Sequence, residues 1–142
     1  MPDIKDFHVG QSDEYVKKFT ESEVELYAQI TGDYNYVHMD EEKAKRSFFK
    51  GRIVHGQLIG GLISALLGTK LPGGGNVYLE QSFEFLKPVR INDIITAKVI
   101  ITEIIEKKKI LVLDTFCLNE LQEVVLKGKA KVLVLKTKTK NI

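Results

Sequence analysis

The chain holds a single cysteine, Cys117, so no disulfide can form within it. That residue sits in the apolar run 110-ILVLDTFCL-118, where a thiol reads as a small core side chain. Long hydrophobic stretches are also missing. The most apolar one, 58-LIGGLISALLG-68, is 11 residues, against the roughly 20 a membrane-spanning helix needs. MPDIKDFHVG at the N-terminus offers no apolar segment fit for a signal peptide. A reducing, cytoplasmic setting is therefore expected, with no membrane partner. Net charge is only +2 and the basic residues alternate with acids, which argues against a nucleic-acid partner. The one basic cluster, 136-KTKTK-140, reads as a solvated terminus. The turn 72-PGGGN-76 matches neither phosphate-binding glycine pattern, and three histidines without paired ligand spacing give no metal site.

What is present fits one domain over residues 1–142, with no repeat or linker. A first strand is expected around Tyr15 to Phe19. The segment 19-FTESEV-24 then marks a helix start: Thr20 as N-cap, Glu23 completing a capping box, and Phe19 with Val24 as a hydrophobic staple. Gly32 follows where a left-handed residue stops a helix. A short helix is predicted within 40-DEEKAKRS-47, capped by Asp40. From about Gln57 to Leu67 a helix apolar on all sides must be buried. After Asn76 the chain reads as strands. In 77-VYLEQSFEFLKPV-89, Val77, Leu79, Gln81, Phe83 and Phe85 share one face at period two. The runs 94–105, 109–118 and 123–135 are rich in β-branched residues and joined by short polar turns. An antiparallel meander with one apolar helix implies an α+β, hot-dog arrangement: a curved sheet wrapped around a central buried helix.

The segment 32-GDYNYVH-38, followed about twenty residues on by 53-IVHG-56, resembles the MaoC-like hydratases, and most closely the small (R)-specific enoyl-CoA hydratases of bacteria. At average residue frequencies D-x-N-x-x-H arises by chance in roughly one chain of this length per hundred or more. The resemblance extends in order from about Val9 to Leu135. Tyr36 stands where the family usually has proline, and Asn92 where glycine is common.

Taken alone, Asp33 is first of all a turn residue beside Gly32, and His38 a histidine bonded to a backbone carbonyl. The resemblance implies instead that Asp33 and His38 are the catalytic pair acting on one water, with Asn35 shaping the loop. It implies that the backbone N–H of Gly56 faces a thioester oxygen, and that Ser64 and Leu67 approach the acyl pocket. Gln81 either reaches the same region or spans an interface. His55 is expected to pack or bond locally, and His8 receives no role.

The activity so implied is reversible, (R)-specific hydration of a trans-2-enoyl-CoA in fatty-acid or hydroxyalkanoate metabolism, with coenzyme A as part of the substrate and no cofactor. The alternatives are a 3-hydroxyacyl-ACP dehydratase, a hot-dog thioesterase, or a non-catalytic acyl-binding subunit. The triplet Asp33, Asn35 and His38 favours the hydratase over the last two. Uncovered sheet edges predict a homodimer or a higher homo-oligomer.

Overall fold

The structure, a computed structural model, describes residues 3–135. The basic cluster at 136–140 lies outside the described residues. Six antiparallel strands form the sheet: β1 (Ser12–Lys18), β2 (Val77–Gln81), β3 (Glu84–Phe85), β4 (Ile94–Ile105), β5 (Ile110–Leu118) and β6 (Val124–Leu133). The order is β1-β4-β5-β6-β2, with β3 also on β6. The expected meander is the central β4-β5-β6 unit, where Ile105 faces Ile110 across the first turn and Leu118 faces Val124 across the second.

The α-helices among the described residues are α1 (Glu21–Thr31), α2 (Tyr36–Met39), α3 (Glu41–Lys45) and α4 (Gly56–Thr69). The α1 start follows from local chemistry. Thr20 Oγ1 accepts from Glu23 N–H at 3.4 Å, and Glu23 Oε1 accepts from Thr20 N–H at 3.0 Å. Phe19 and Val24 are both buried beside this box. Gly32 ends the helix at φ 82°, returning its N–H to Ala28 O. Asn92 also has a positive φ, 74°, which asparagine tolerates better than most side chains.

Helix α4 packs on β1, β4, β5 and β6, and this grip is the hot-dog architecture. Ile59, Leu62, Ile63, Leu66 and Leu67 enter the core beside Ile95, Val99, Leu111 and Leu113 of the sheet. Full burial of each such side chain contributes about 1.5–3 kcal/mol.

Two expectations need correction. The helix is not covered all round: Gln57, Gly61, Ser64 and Gly68 form an open stripe along it. The sheet reaches only part of the circumference, and this side carries two glycines that have no side chain to bury. The single strand expected from Val77 to Val89 is also broken. Its register shifts between Tyr78 and Glu80, so the period-two face does not continue. Regular pairing ends at Gln81 and resumes at Glu84; between them Ser82 O lies against Gly128 of β6, where a Cβ would lie 1.7 Å from it.

Candidate active site

The loop after α1 is built from short-range bonds. Asp33 Oδ1 accepts from Asn35 N–H at 3.2 Å, and Asn35 Oδ1 accepts from Val37 N–H at 3.3 Å. Asn35 is therefore the N-cap of α2, a one-turn helix that the sequence pattern missed. Its signal was the asparagine two residues before Val37. That turn carries His38 inward, where it is 8% exposed, while Asp33 stays at the surface.

His38 Nδ1 lies 2.8 Å from Ile53 O. A carbonyl only accepts, so Nδ1 carries the proton and Nε2 of the neutral ring keeps a free lone pair. The main chain of His38 is fixed too, since Arg52 Nε donates to its carbonyl at 2.6 Å. Arg52 pairs in turn with Glu21 at the start of α1, at 3.3 Å.

His55, 1% exposed, is the N-cap residue of α4. Its ring stacks on that of His38, with centroids 3.9 Å apart and planes at 28°, and the Tyr27 ring tilts against it with centroids 4.6 Å apart. Nε2 is 3.0 Å from Asp33 O, so this nitrogen bears the proton. Burial pushes the imidazole below its ordinary value of 6.5. The local bonding expected of His55 is present, but it reaches Asp33, 22 residues away, which no spacing rule could indicate.

A carboxylate oxygen of Asp33 and one ring nitrogen each of His38 and His55 lie within 4.8 Å of one another. This clustering goes beyond the isolated histidines of the sequence. It suits a water better than a metal ion. Imidazole lone pairs lie in the ring plane, and two stacked rings do not aim theirs at one point about 2.0–2.1 Å from both.

Beside the cluster opens a cleft of about 460 Å³, lined by Asp33, His55 and Gly56 at one end and by Phe48, Phe85 and Val125 along its apolar walls. Gly56 is the first residue of α4, so its N–H has no carbonyl partner one turn back. A Cβ here would lie 2.6 Å from the Phe85 ring, and one at Gly60 would lie 2.6 Å from that of Phe83. Two aromatic rings thus lie across the helix where glycines leave room. Ser64 and Leu67 lie apart from this cleft: Ser64 is on the open stripe, and Leu67 is in the core. Gln81 ties β2 to β5, donating to Thr115 Oγ1 at 2.9 Å and taking a bond from the Tyr78 hydroxyl. His8 lies exposed in the N-terminal segment.

Among curated proteins the chain is 42% identical over 131 residues to the (R)-specific enoyl-CoA hydratase of Rhodospirillum rubrum, covering 92% of this chain and 90% of that one. It is 44% identical over 133 residues to the 3-hydroxybutyryl-CoA dehydratase of Methylorubrum extorquens, covering 94% and 84%. Among solved structures the (R)-hydratase of A. caviae involved in PHA biosynthesis superposes with a TM-score of 0.88 at 37% identity, over 91% of this chain and 98% of the other. Residues 8–116 match the family described as MaoC like domain. The chain belongs to the MaoC-like domain family.

Proposed function

We propose that the protein is a hydro-lyase that adds water reversibly to a trans-2-enoyl-CoA, giving the (R)-3-hydroxyacyl-CoA. The observation that carries this reading is the juxtaposition of the Asp33 carboxylate with the His38 imidazole, beside an apolar cleft that starts at the N-terminus of α4. Two acceptors, one carboxylate oxygen and His38 Nε2, hold a single water. As the pair takes one proton, the hydroxyl adds to C3 of the enoyl group. Electron density moves to the thioester oxygen, which the Gly56 N–H receives at the positive end of α4. The proton then returns to C2, so water is added across the double bond with nothing left over. Asn35 supports the pair by holding the loop. The apolar walls accept the acyl chain; Ser64, outside the cleft of its own chain, approaches the acyl end of a partner's cleft, and Leu67 stays in the core.

The reading brings four further assignments. The chemistry needs no group beyond side chains and substrate. The site is cytoplasmic; no helix among the described residues is long and apolar enough to cross a membrane. Coenzyme A is the carrier, although a mitochondrial 3-hydroxyacyl-[acyl-carrier-protein] dehydratase of Arabidopsis thaliana is 32% identical over 125 residues. The chain also works as a homodimer through β2 and the open stripe of α4.

The test is loss of the enoyl-thioester absorbance with crotonyl-CoA and with the matching acyl-carrier-protein thioester, followed by chiral analysis of the product. Asp33→Asn cannot accept a proton, and His38→Ala removes the imidazole. Each should lower kcat about 10²–10⁴-fold, and the double variant should be little worse, because groups that act as one unit are non-additive. Activity of Asp33→Asn within a few-fold of wild type would falsify the pair.

A further inference from the structure

Among the described residues, the turn from Gly32 to Asn35 has one hydrogen bond to a distant part of the chain. The Gly32 and Tyr34 N–H groups bond within the turn or to α1, and the Asp33 N–H meets Thr31 Oγ1 at 3.2 Å. The Asp33 side chain bonds to Asn35 N–H. The exception is His55 Nε2–H on Asp33 O, at 3.0 Å.

We infer that His55 is a positioning residue, the strut that sets the acid–base loop against the N-terminus of α4. Its backbone starts the helix, accepting from Leu58 N–H at 3.1 Å and Ile59 N–H at 3.2 Å, and Gly56 comes next in the chain. Its side chain holds the peptide carbonyl of Asp33. Its ring face supports His38. One side chain therefore sets the distance between the groups that move the proton and the N–H that receives the oxyanion. Errors of about 1 Å in such a distance can cost on the order of 10²-fold in rate.

The ring of the strut is held neutral by its surroundings. The titratable groups facing it are Asp33, His38 and Tyr27. Nδ1 is buried and unpartnered, so a proton there would be a buried donor with nothing to meet, on a ring stacked against a second imidazole. Burial disfavours the charged form for the same reason.

The role rests on the hydratase reading, and two variants separate its parts. His55→Phe keeps the stacking face and loses the donor; His55→Gln loses the ring and keeps an N–H that can reach Asp33 O. With crotonyl-CoA, His55→Phe should lower kcat about 10- to 100-fold with KM within about threefold of wild type. His55→Gln should recover at least half of that loss on a logarithmic scale. Adding His55→Phe to Asp33→Asn should cost no more than about twofold, because the strut acts through the residue already disabled.

Full activity of His55→Phe, equal losses in the two variants, or an additive double mutant overturns the proposal. A further reading needs neither variant nor substrate. In ¹H–¹⁵N spectra of the wild-type protein, His55 should stay an Nε2–H tautomer from pH 8 to pH 5.5, with Asp33 and Tyr34 amides as ordered as those of α1. An Nδ1–H tautomer, or a mobile loop, overturns it. A wild type with no hydratase activity but this tautomer overturns the proposed reaction instead, and leaves His55 as the tie between the loop and α4.

Discussion

At the scale of single residues, His55 makes stability depend on pH in a defined window. Its native form is neutral and held below 6.5, whereas in the unfolded chain the imidazole takes up a proton near 6.5. The unfolded state then binds more protons, so stability falls as pH drops below about 6.5 toward the depressed native value. Glu23, bonded to Lys17 and Thr20, and Glu123, bonded to Lys87, are held below 4.5, so what they contribute is lost only at more acid pH. Between pH 6.5 and 5 the Tm of wild type should decline more steeply than that of His55→Gln. Every other group is common to both proteins, so parallel curves would remove this role. The residues of the loop were legible in the sequence because Asp33, Asn35 and His38 lie within six positions and carry a recognisable pattern. The function of His55 was not. Its partners His38, Asp33 and Tyr27 are 17, 22 and 28 residues away, and only the return of the chain through Arg52 and Ile53 brings the rings together.

At the scale of elements, local chemistry was legible wherever it was self-sufficient. The α1 box, the Gly32 stop and the Asp40 cap each depend on neighbours within four residues, and all are in place. The bounds of β4 follow directly from the β-branched run 94–105. The break between β2 and β3 was hidden because its contacts are on another strand. Ser82 N–H donates to Lys129 O at 2.9 Å, and Ser82 Oγ accepts from Lys129 N–H at 3.0 Å, which draws the serine onto Gly128. Contact with backbone, unlike contact with a flexible side chain, cannot be relieved by a rotamer change. Gly128→Ala should therefore destabilise by at least about 1–3 kcal/mol, the usual cost of overpacking, seen as a lower midpoint in denaturant. An unchanged midpoint would mean that the two strands do not approach this closely. The same substitution at Gly56 meets only the Phe85 ring, half of which is open to solvent and able to swing. Its effect should be on kcat, through the cleft, more than on stability.

At the scale of the whole molecule, the two edges of the sheet differ in chemistry. Edge β1 carries Asp13, Glu14, Lys17 and Lys18, charges of the kind that keep an edge from pairing. Edge β2 carries Val77, Tyr78 and Leu79, each about two-fifths exposed, and a single charge, Glu80, which pairs with Lys131 of β6. On α4, the open stripe of Gln57, Gly61, Ser64 and Gly68 is made of small or uncharged side chains that a second backbone could approach closely. A partner's β2 added to this edge would continue the sheet and cover apolar surface that a monomer leaves in water. It would also bring a second chain near Ser64, the one arrangement in which the proposed role of that exposed residue at an acyl pocket could be met. Light scattering at micromolar concentration should give at least twice the chain mass of 16.1 kDa. Leu79→Lys places a charge on the apolar edge and should shift the mass toward one chain. If the pocket is completed by the partner, activity per chain should fall with the dimer as the variant is diluted, and longer enoyl chains should lose more than crotonyl-CoA. A wild-type monomer with full activity on every chain length would confine the site to a single protomer and leave the β2 edge without a role.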